Sequence, residues 1–418
     1  MRLRRAMSAR WQQVPEGMRD LLPVEAGRRA AVEAALRDEF RRWGYREVVT
    51  PTLEFLETLL QGAGPGVADR LFKIVDRGGE LLALRPEMTV PIARLAATRL
   101  LREARAPLRL SYVAPVFRGQ EGGRGRLREF TQAGVELLGE GGPDADAEVI
   151  ALAVRTLARA GVADAELRVG DLGFLNDALS GLDGEEQDEV RARLYRREFA
   201  GFERTLPDAA LAQFLRTLPE LHGVDALDRA SRFVRSPRGE ASLRRLAATL
   251  DRLAGYGLTA VSVDLSIIRD FSYYTGVVFE AYGPGTGYPL LGGGRYDTLL
   301  ARFGADCPAT GFAVGIERVL GAAPAGEALT PDFVIIAGET HRAEAAGLAR
   351  ELREAGKSVI VETQLQPDGG DPPARFVLRL QGSDVRVVDA RSGRERLLSR
   401  QQLAIELGGQ PRVTAWSH

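Results

Sequence analysis

Tyr112–Glu136, YVAPVFRGQEGGRGRLREFTQAGVE, decides how this chain is read. Two apolar runs flank a turn crowded with glycine and arginine, the pattern of a strand, a loop and a returning strand. Arg118 stands at the mouth of the turn, and Gln132 and Glu136 lie four residues apart on the return strand. Alternate residues of a strand share a face, so these polar groups line the floor of one pocket. An arginine, an amide and a carboxylate on one floor suit a free amino acid, with its carboxylate, its ammonium and a polar side chain.

On either side of this hairpin the chain alternates between strand and helix patterns. Ala26–Trp43 has apolar residues at helical spacing and stops at Gly44. Tyr45–Pro51, YREVVTP, reads as a short strand, and Arg70–Glu87 reads as a hairpin turning at Asp76–Glu80, DRGGE. Val90–Ala104 and Ala147–Ala160 return to helical spacing. Leu175–Leu250, rich in Leu, Arg, Ala and Glu, reads as several short helices inserted between two parts of one sheet. The sheet resumes with Val261–Asp264, Gly276–Tyr282 and the glycine run Leu291–Asp297, LGGGRYD, and a helix beginning near Gly311 closes the domain. Past the linker Ala323–Thr330, a strand, a helix (His341–Gly356), three further strands and a final helix at Ser399–Leu407 form a small α/β domain. The predicted fold class is α+β, with a core over residues 1–325, a helical insertion at about 175–250 and a C-terminal domain over 331–418.

Composition narrows the function. At 418 residues with 45% hydrophobic and 27% charged residues, the chain is an ordinary globular protein of two or three domains. No apolar run reaches membrane-spanning length, and no apolar core follows the basic Met1–Arg10, so the expected location is the cytoplasm. A single cysteine, Cys307, and three dispersed histidines offer no metal-ligand spacing, and no metal or cofactor is expected. A net charge of −1 argues mildly against a long-RNA partner.

In chain order, several segments resemble the histidyl-tRNA synthetase family of class II aminoacyl-tRNA synthetases. These are Pro15–Pro23 (PEGMRDLLP), Gly44–Pro51 as motif 1, Arg85–Thr89 (RPEMT), the Tyr112–Glu136 hairpin as motif 2, Ile268–Glu280 (IRDFSYYTGVVFE) and Pro308–Arg318 (PATGFAVGIER), the last containing motif 3. The resemblance implies a class II antiparallel sheet flanked by helices, and a homodimer formed through motif 1. It also implies a histidine pocket in which Glu87, Thr89 and Gln132 hold the ammonium and Arg118 and Arg269 face the carboxylate. Glu136 and Tyr274, with Tyr296, would address the imidazole, and Tyr273 belongs to the same set.

The chain departs from the synthetase pattern where ATP should bind. The family's adenine-contacting glutamate and phosphate-facing arginine are replaced by Gln120 and Glu121, and the proline expected next is Gly122. A carboxylate where a guanidinium should meet a triphosphate reverses the local charge, unfavourable by roughly a few kcal/mol even at a high effective dielectric. The family's Leu-Asp-Tyr-Tyr becomes Phe271–Tyr274, FSYY, with one carboxylate lost, while Arg318 of motif 3 remains. In the C-terminal domain, LQPDGGDPP stands where the family's anticodon-binding domain has a helix, and its three prolines forbid one. A kept pocket, a degenerate nucleotide loop and RPEMT together resemble the regulatory-subunit family of ATP phosphoribosyltransferase. That resemblance implies a non-catalytic protein of histidine biosynthesis, partnered by a short catalytic subunit in a hetero-oligomer and responsive to L-histidine. An active synthetase with a divergent loop, and an amino-acid sensor acting on another partner, are the alternatives.

Overall fold

The computed structural model describes residues 10–63, 65–119, 127–269, 271–324, 330–362, 374–381, 384–399 and 402–403. The chain divides into two compact units, Met1–Gly326 and Glu327–His418. The first contains β1 (Arg46–Glu47), β2 (Leu53–Phe55), β3 (Lys73–Val75), β4 (Leu81–Leu84), β5 (Leu108–Phe117) and β6 (Glu129–Leu138). These are followed by β7 (Glu166–Asp171), β8 (Val261–Val263), β9 (Val277–Tyr282), β10 (Pro289–Arg295) and β11 (Ala309–Gly315). Eight of them form one sheet in the order β1-β5-β6-β11-β10-β9-β7-β8. Its interior pairs are antiparallel, and only the outer pairs β1/β5 and β7/β8 are parallel.

The strand period sorts side chains onto two faces with different cores. Ala133, Val135 and Leu137 of β6 point into a core shared with Leu36 and Phe40 of helix Pro23–Arg42 and with Val149, Leu152 and Leu157 of helix Pro143–Arg159. The opposite face carries Tyr112, Val116 and Leu138 against Met88, Ile92, Tyr273 and Tyr296. Gln132 and Glu136 lie on this second face, which is the one that holds the site. Helix Pro23–Arg42 ends where Gly44 turns left-handed (φ 82°), and the chain enters β1 from there.

Between β7 and β8 run five α-helices, Leu172–Ala178, Gly184–Tyr195, Ala209–Thr217, Ala226–Ser231 and Pro237–Gly255, and two short 3-10 turns. Four start behind a side-chain cap: Asp171, Asp183, Asp208 and Ser236 each accept from backbone N–H groups of the first turn. Among the described residues, no helix is long and apolar enough to cross a membrane.

Three expectations are corrected. The helix expected near Gly311 begins at Ile316, and Ala309–Gly315 is instead strand β11, hydrogen-bonded to β6 on one side and β10 on the other. In this segment large residues (Phe312, Val314) alternate with glycine and alanine, a period of two that the short run concealed. The single helix expected over Val90–Ala104 is Thr89–Leu95, a wider π turn at Ala96–Leu100 and a short helical end at Leu101–Glu103. Ser399, expected to open the last helix, closes a strand; of the following residues only 402–403 are described, and these two are helical.

In the second unit, β12 (Phe333–Ile336), β13 (Val359–Glu362), β14 (Phe376–Gln381), β15 (Asp384–Asp389) and β16 (Glu395–Ser399) form a sheet ordered β13-β12-β14-β15-β16. Helix Arg342–Glu354 packs on it through Ala345, Ala349 and Leu352. β16 is the strand that sequence reading omits. Its hairpin is set by Asp389, whose carboxylate accepts from the N–H groups of Arg391 and Ser392, and by Gly393 at φ 66°. LQPDGGDPP lies outside the described residues.

The sheet is anchored to the helical layer by one buried ion pair. Arg295, at the end of β10, is fully buried. It donates to Asp146 (2.9 Å), to Asp297 (2.8 Å) and to the carbonyls of Glu140 and Gly142. Removing one member of such a pair leaves an uncompensated buried charge. Arg295→Met is therefore expected to cost about 3–5 kcal/mol in urea unfolding, and the double variant Arg295→Met/Asp146→Leu should recover part of that loss.

Candidate functional site

The site forms where three chain segments meet over the Gln132–Glu136 face of β6. Arg85, buried beneath the first segment, donates to the carbonyls of Pro115 (3.0 Å), Thr50 (2.8 Å) and Pro51 (3.2 Å). That clamp fixes the following Pro86–Thr89 turn, so Arg85 positions the site without lining it. The sequence marks it only as part of RPEMT. Glu87, buried, then accepts from the backbone N–H groups of Thr89 (2.7 Å) and Val90 (2.8 Å), holding the first turn of helix Thr89–Leu95. Burial raises the proton affinity of its carboxyl.

Glu136 is the most enclosed of the group. Its carboxyl accepts from the Thr89 hydroxyl (2.8 Å) and from the Tyr296 hydroxyl. Gly311 lies beside it in the β6/β11 register, and a Cβ there would collide with the carboxylate. Burial pushes the Glu136 carboxyl up to about 8. Tyr273 donates to Glu87 at 3.4 Å and packs against Tyr274 and Tyr296 with ring centroids 4.8 and 5.6 Å away.

The cationic side is built from two arginines. Arg118 donates its Nε to the Pro86 carbonyl (3.1 Å), and its guanidinium lies over Phe130 and Phe271. Arg269 donates Nη1 to Glu280 (2.6 Å), which also accepts from the Tyr282 hydroxyl (2.6 Å). Nearby carboxylate and phenol groups raise the proton affinity of Arg269 against the lowering effect of its burial. Its guanidinium presses so closely on Gly292 that any Cβ there would overlap it, which accounts for glycine at that place in LGGGRYD.

Together Glu87, Thr89, Arg118, Gln132, Arg269, Tyr273, Tyr274 and Tyr296 line a cavity of about 40 Å³, joined by Phe271, Gly292, Gly311, Phe312 and Ala313. Glu136 does not line it but stands directly behind Thr89 and Tyr296. Two polar atoms on the lining side chains are buried with no hydrogen-bond partner among the described residues, the acceptor Gln132 Oε1 and the donor Arg269 Nε. Arg318 is placed elsewhere: it donates to the Pro289 carbonyl (2.7 Å) and lies over Tyr288. Gln120 and Glu121 lie outside the described residues. Sequence reading named Phe271 and Glu280 only within a motif and did not single out Phe312; their place at the site depends on packing around β9 and β11 rather than on any local pattern.

A shared ancestry accompanies this geometry. The family model described as histidyl-tRNA synthetase matches residues 17–319. A solved histidyl-tRNA synthetase from Nostoc superposes with a TM-score of 0.78 over 95% of this chain and 98% of that one, at 20% identity, a likeness of fold. The chain therefore belongs to the histidyl-tRNA synthetase-like family, with the class II fold. The ATP phosphoribosyltransferase regulatory subunit of Moorella thermoacetica is 45% identical over 362 residues, spanning 84% of this chain and 92% of that protein. A crystal structure from Bacillus halodurans, described as an ATP phosphoribosyltransferase regulatory subunit/histidyl-tRNA synthetase, is 36% identical, with a TM-score of 0.76 over 85% and 94% of the two chains. Within the wider family, the chain belongs to the ATP phosphoribosyltransferase regulatory subunits.

A carboxyl whose proton affinity rises on folding makes stability fall as pH rises from its unfolded value towards its folded one. For Glu136 that window runs from 4.5 to about 8. In urea unfolding at pH 5 and pH 8.5, the wild type should lose about 1–3 kcal/mol more stability than Glu136→Gln on going to the higher pH. Parallel pH profiles for the two proteins would refute this.

Proposed function

We infer that this chain acts as the non-catalytic regulatory subunit of ATP phosphoribosyltransferase, in the first step of histidine biosynthesis, and that its pocket takes free L-histidine as the feedback signal. One observation carries the ligand assignment. An unpartnered acceptor, Gln132 Oε1, and an unpartnered donor, Arg269 Nε, belong to side chains lining the same cavity. A zwitterion complements both, its ammonium donating to Gln132 beside Glu87 and its carboxylate accepting from Arg269 beside Arg118. Each buried group left unpaired costs about 1–3 kcal/mol, which an amino acid would return on binding.

The imidazole would reach the hydroxyls of Tyr273 and Tyr296, backed by Glu136. A cavity of about 40 Å³ holds only a few water molecules. Admitting an amino acid requires movement of Tyr274, which lines both this cavity and a larger neighbouring cleft. Histidine thus favours an open arrangement of this wall, and feedback follows if one state of the complex with the catalytic subunit prefers it. A coupling of about 1–3 kcal/mol suffices for strong control.

Self-association has its own support. β2, β3 and β4 form a separate three-stranded sheet whose outer face aligns Leu53 with Leu84 and Phe55 with Leu82, with Ile74 beside Leu82. Phe55 is 56% exposed and the nearby Val49 87% exposed, an apolar surface that a second copy of this chain would cover. Phe55→Glu should convert the dimer to monomer in light scattering coupled to size exclusion; an unchanged mass would exclude this face.

Histidine should raise the melting temperature of the chain and inhibit the co-purified complex with a short catalytic subunit. Gln132→Leu should weaken histidine binding by roughly tenfold or more and leave complex formation intact. Robust histidine-dependent ATP–pyrophosphate exchange by the purified chain would instead identify an active synthetase.

A further inference from the structure

Helix Gly184–Tyr195 ends in a way that its sequence does not favour. The N–H of Glu198 donates back to the Arg193 carbonyl (2.9 Å), and the N–H of Arg197 donates to the Leu194 carbonyl (2.9 Å). This paired closure puts Arg197 in the left-handed region, at φ 63°. Glycine is the usual residue there, because a Cβ is crowded by the following carbonyl. Among the described residues, no other residue with a side chain has a positive φ. Backbone strain of this kind persists where surrounding contacts hold it, and here the contacts are those of the side chain.

The Arg197 guanidinium reaches Ser266, just past the end of β8. Its Nη1 donates to the Ser266 carbonyl (3.3 Å) and to the Ser266 hydroxyl (3.2 Å). Ser266 is buried and is fixed on its other side, where its N–H (2.9 Å) and its hydroxyl (2.6 Å) both donate to Asp264. The hydroxyl thus accepts from Arg197 while it donates to Asp264. Asp264 is held in turn by its own N–H on the Val169 carbonyl of β7 (2.9 Å). Arg269 follows Ser266 by three residues, with the buried Ile267 between them.

A second path joins the same groups. Arg269 donates to Glu280, and Glu280 also accepts from Tyr282. Arg168 lies over the Tyr282 ring (4.9 Å) and faces Asp264 at 3.9 Å. Burial and the Glu280 carboxylate raise the proton affinity of the Tyr282 phenol, and the charges of Arg168 and Arg197 pull against that rise. Arg197 therefore acts on Arg269 from two directions, through the Ser266 turn and through the Glu280–Tyr282 pair. Arg197 itself is exposed, so its removal opens no void in the core.

We propose that Arg197 is a positioning residue of the amino-acid site, tying the end of helix Gly184–Tyr195 to the turn that carries Arg269 and so fixing the guanidinium that faces the ligand carboxylate. The inference rests on the reading of the small cavity as an amino-acid pocket. It makes histidine affinity depend on where the inserted helices sit, since drawing them away from Ser266 loosens the carboxylate side of the site.

The test is calorimetric titration of the full-length chain with L-histidine, paired with melting curves of the ligand-free protein. Arg197→Gly removes the guanidinium and relieves the left-handed strain together, so affinity and stability separate. It should weaken histidine binding by roughly threefold to tenfold and leave the melting temperature unchanged or higher. Arg197→Lys, which keeps a donor and the charge, should bind histidine more tightly than Arg197→Gly. Ser266→Ala should weaken binding on its own, and should weaken it less when added to Arg197→Gly, because both act along one path. Full histidine affinity in Arg197→Gly, beside normal binding by the wild type, would overturn this inference alone. Strictly additive losses from the two substitutions, or an affinity loss seen only with a matching fall in melting temperature, would overturn it as well. A wild-type chain that binds no histidine would instead sink the pocket reading, and the inference with it.

Discussion

A carboxyl group shut away from water has to be satisfied by its neighbours, and Glu136 is satisfied by two hydroxyls from distant parts of the chain. Thr89 comes from the turn after β4, Tyr296 from the turn after β10, and Glu136 itself from near the end of β6. Their meeting fixes three segments to one another over a single face of the sheet. Gly311 on the adjoining strand makes room for the carboxyl, and Arg85 and Arg295 brace the turns from below. With its proton affinity raised to about 8, Glu136 is mostly neutral at pH 7, so it can donate as well as accept. The pocket wall is therefore a hydrogen-bonded network held together without a ligand.

That completeness stops short at two atoms, Gln132 Oε1 and Arg269 Nε. A network this closely satisfied elsewhere makes the exceptions meaningful, because native interiors rarely leave such groups unpaired. Their chemistry is opposite, an acceptor and a donor, which fits a ligand of both charges better than an anion or a cation alone. Arg269 already has Glu280 as a partner, so its charge is balanced before anything binds. The closed site therefore carries little electrostatic cost on its arginine side.

Much of this was legible in the residues, for definite reasons. The Tyr112–Glu136 hairpin could be read because period-two patterning and a glycine-rich turn reinforce one another, and the observed register pairs Ala114 with Gln132 and Leu110 with Glu136. β11 could not, because the period-two alternation of Ala309–Gly315 runs for only seven residues and leads directly into a helix. The insertion's helices announced themselves through composition, and the structure adds the caps Asp183, Asp208 and Ser236 that start three of them. What no local pattern could show was the cleft they make with the core, since Arg191 and Arg269 are brought together only by packing across the β7–β8 crossover.

Arg269, Phe271 and Tyr274 line both the small cavity and the larger neighbouring cleft, and so form the partition between them. A movement of that partition that enlarges one space alters the other, so the shapes of the two cavities are coupled. Phe271, stacked on Tyr273 at 5.5 Å, ties the partition to the hydroxyl that reaches Glu87. A rearrangement there is therefore transmitted to the turn that opens helix Thr89–Leu95. In a regulatory subunit, such a shared wall gives a physical means of passing a chemical signal from the pocket to the inserted helices without any catalytic step of its own.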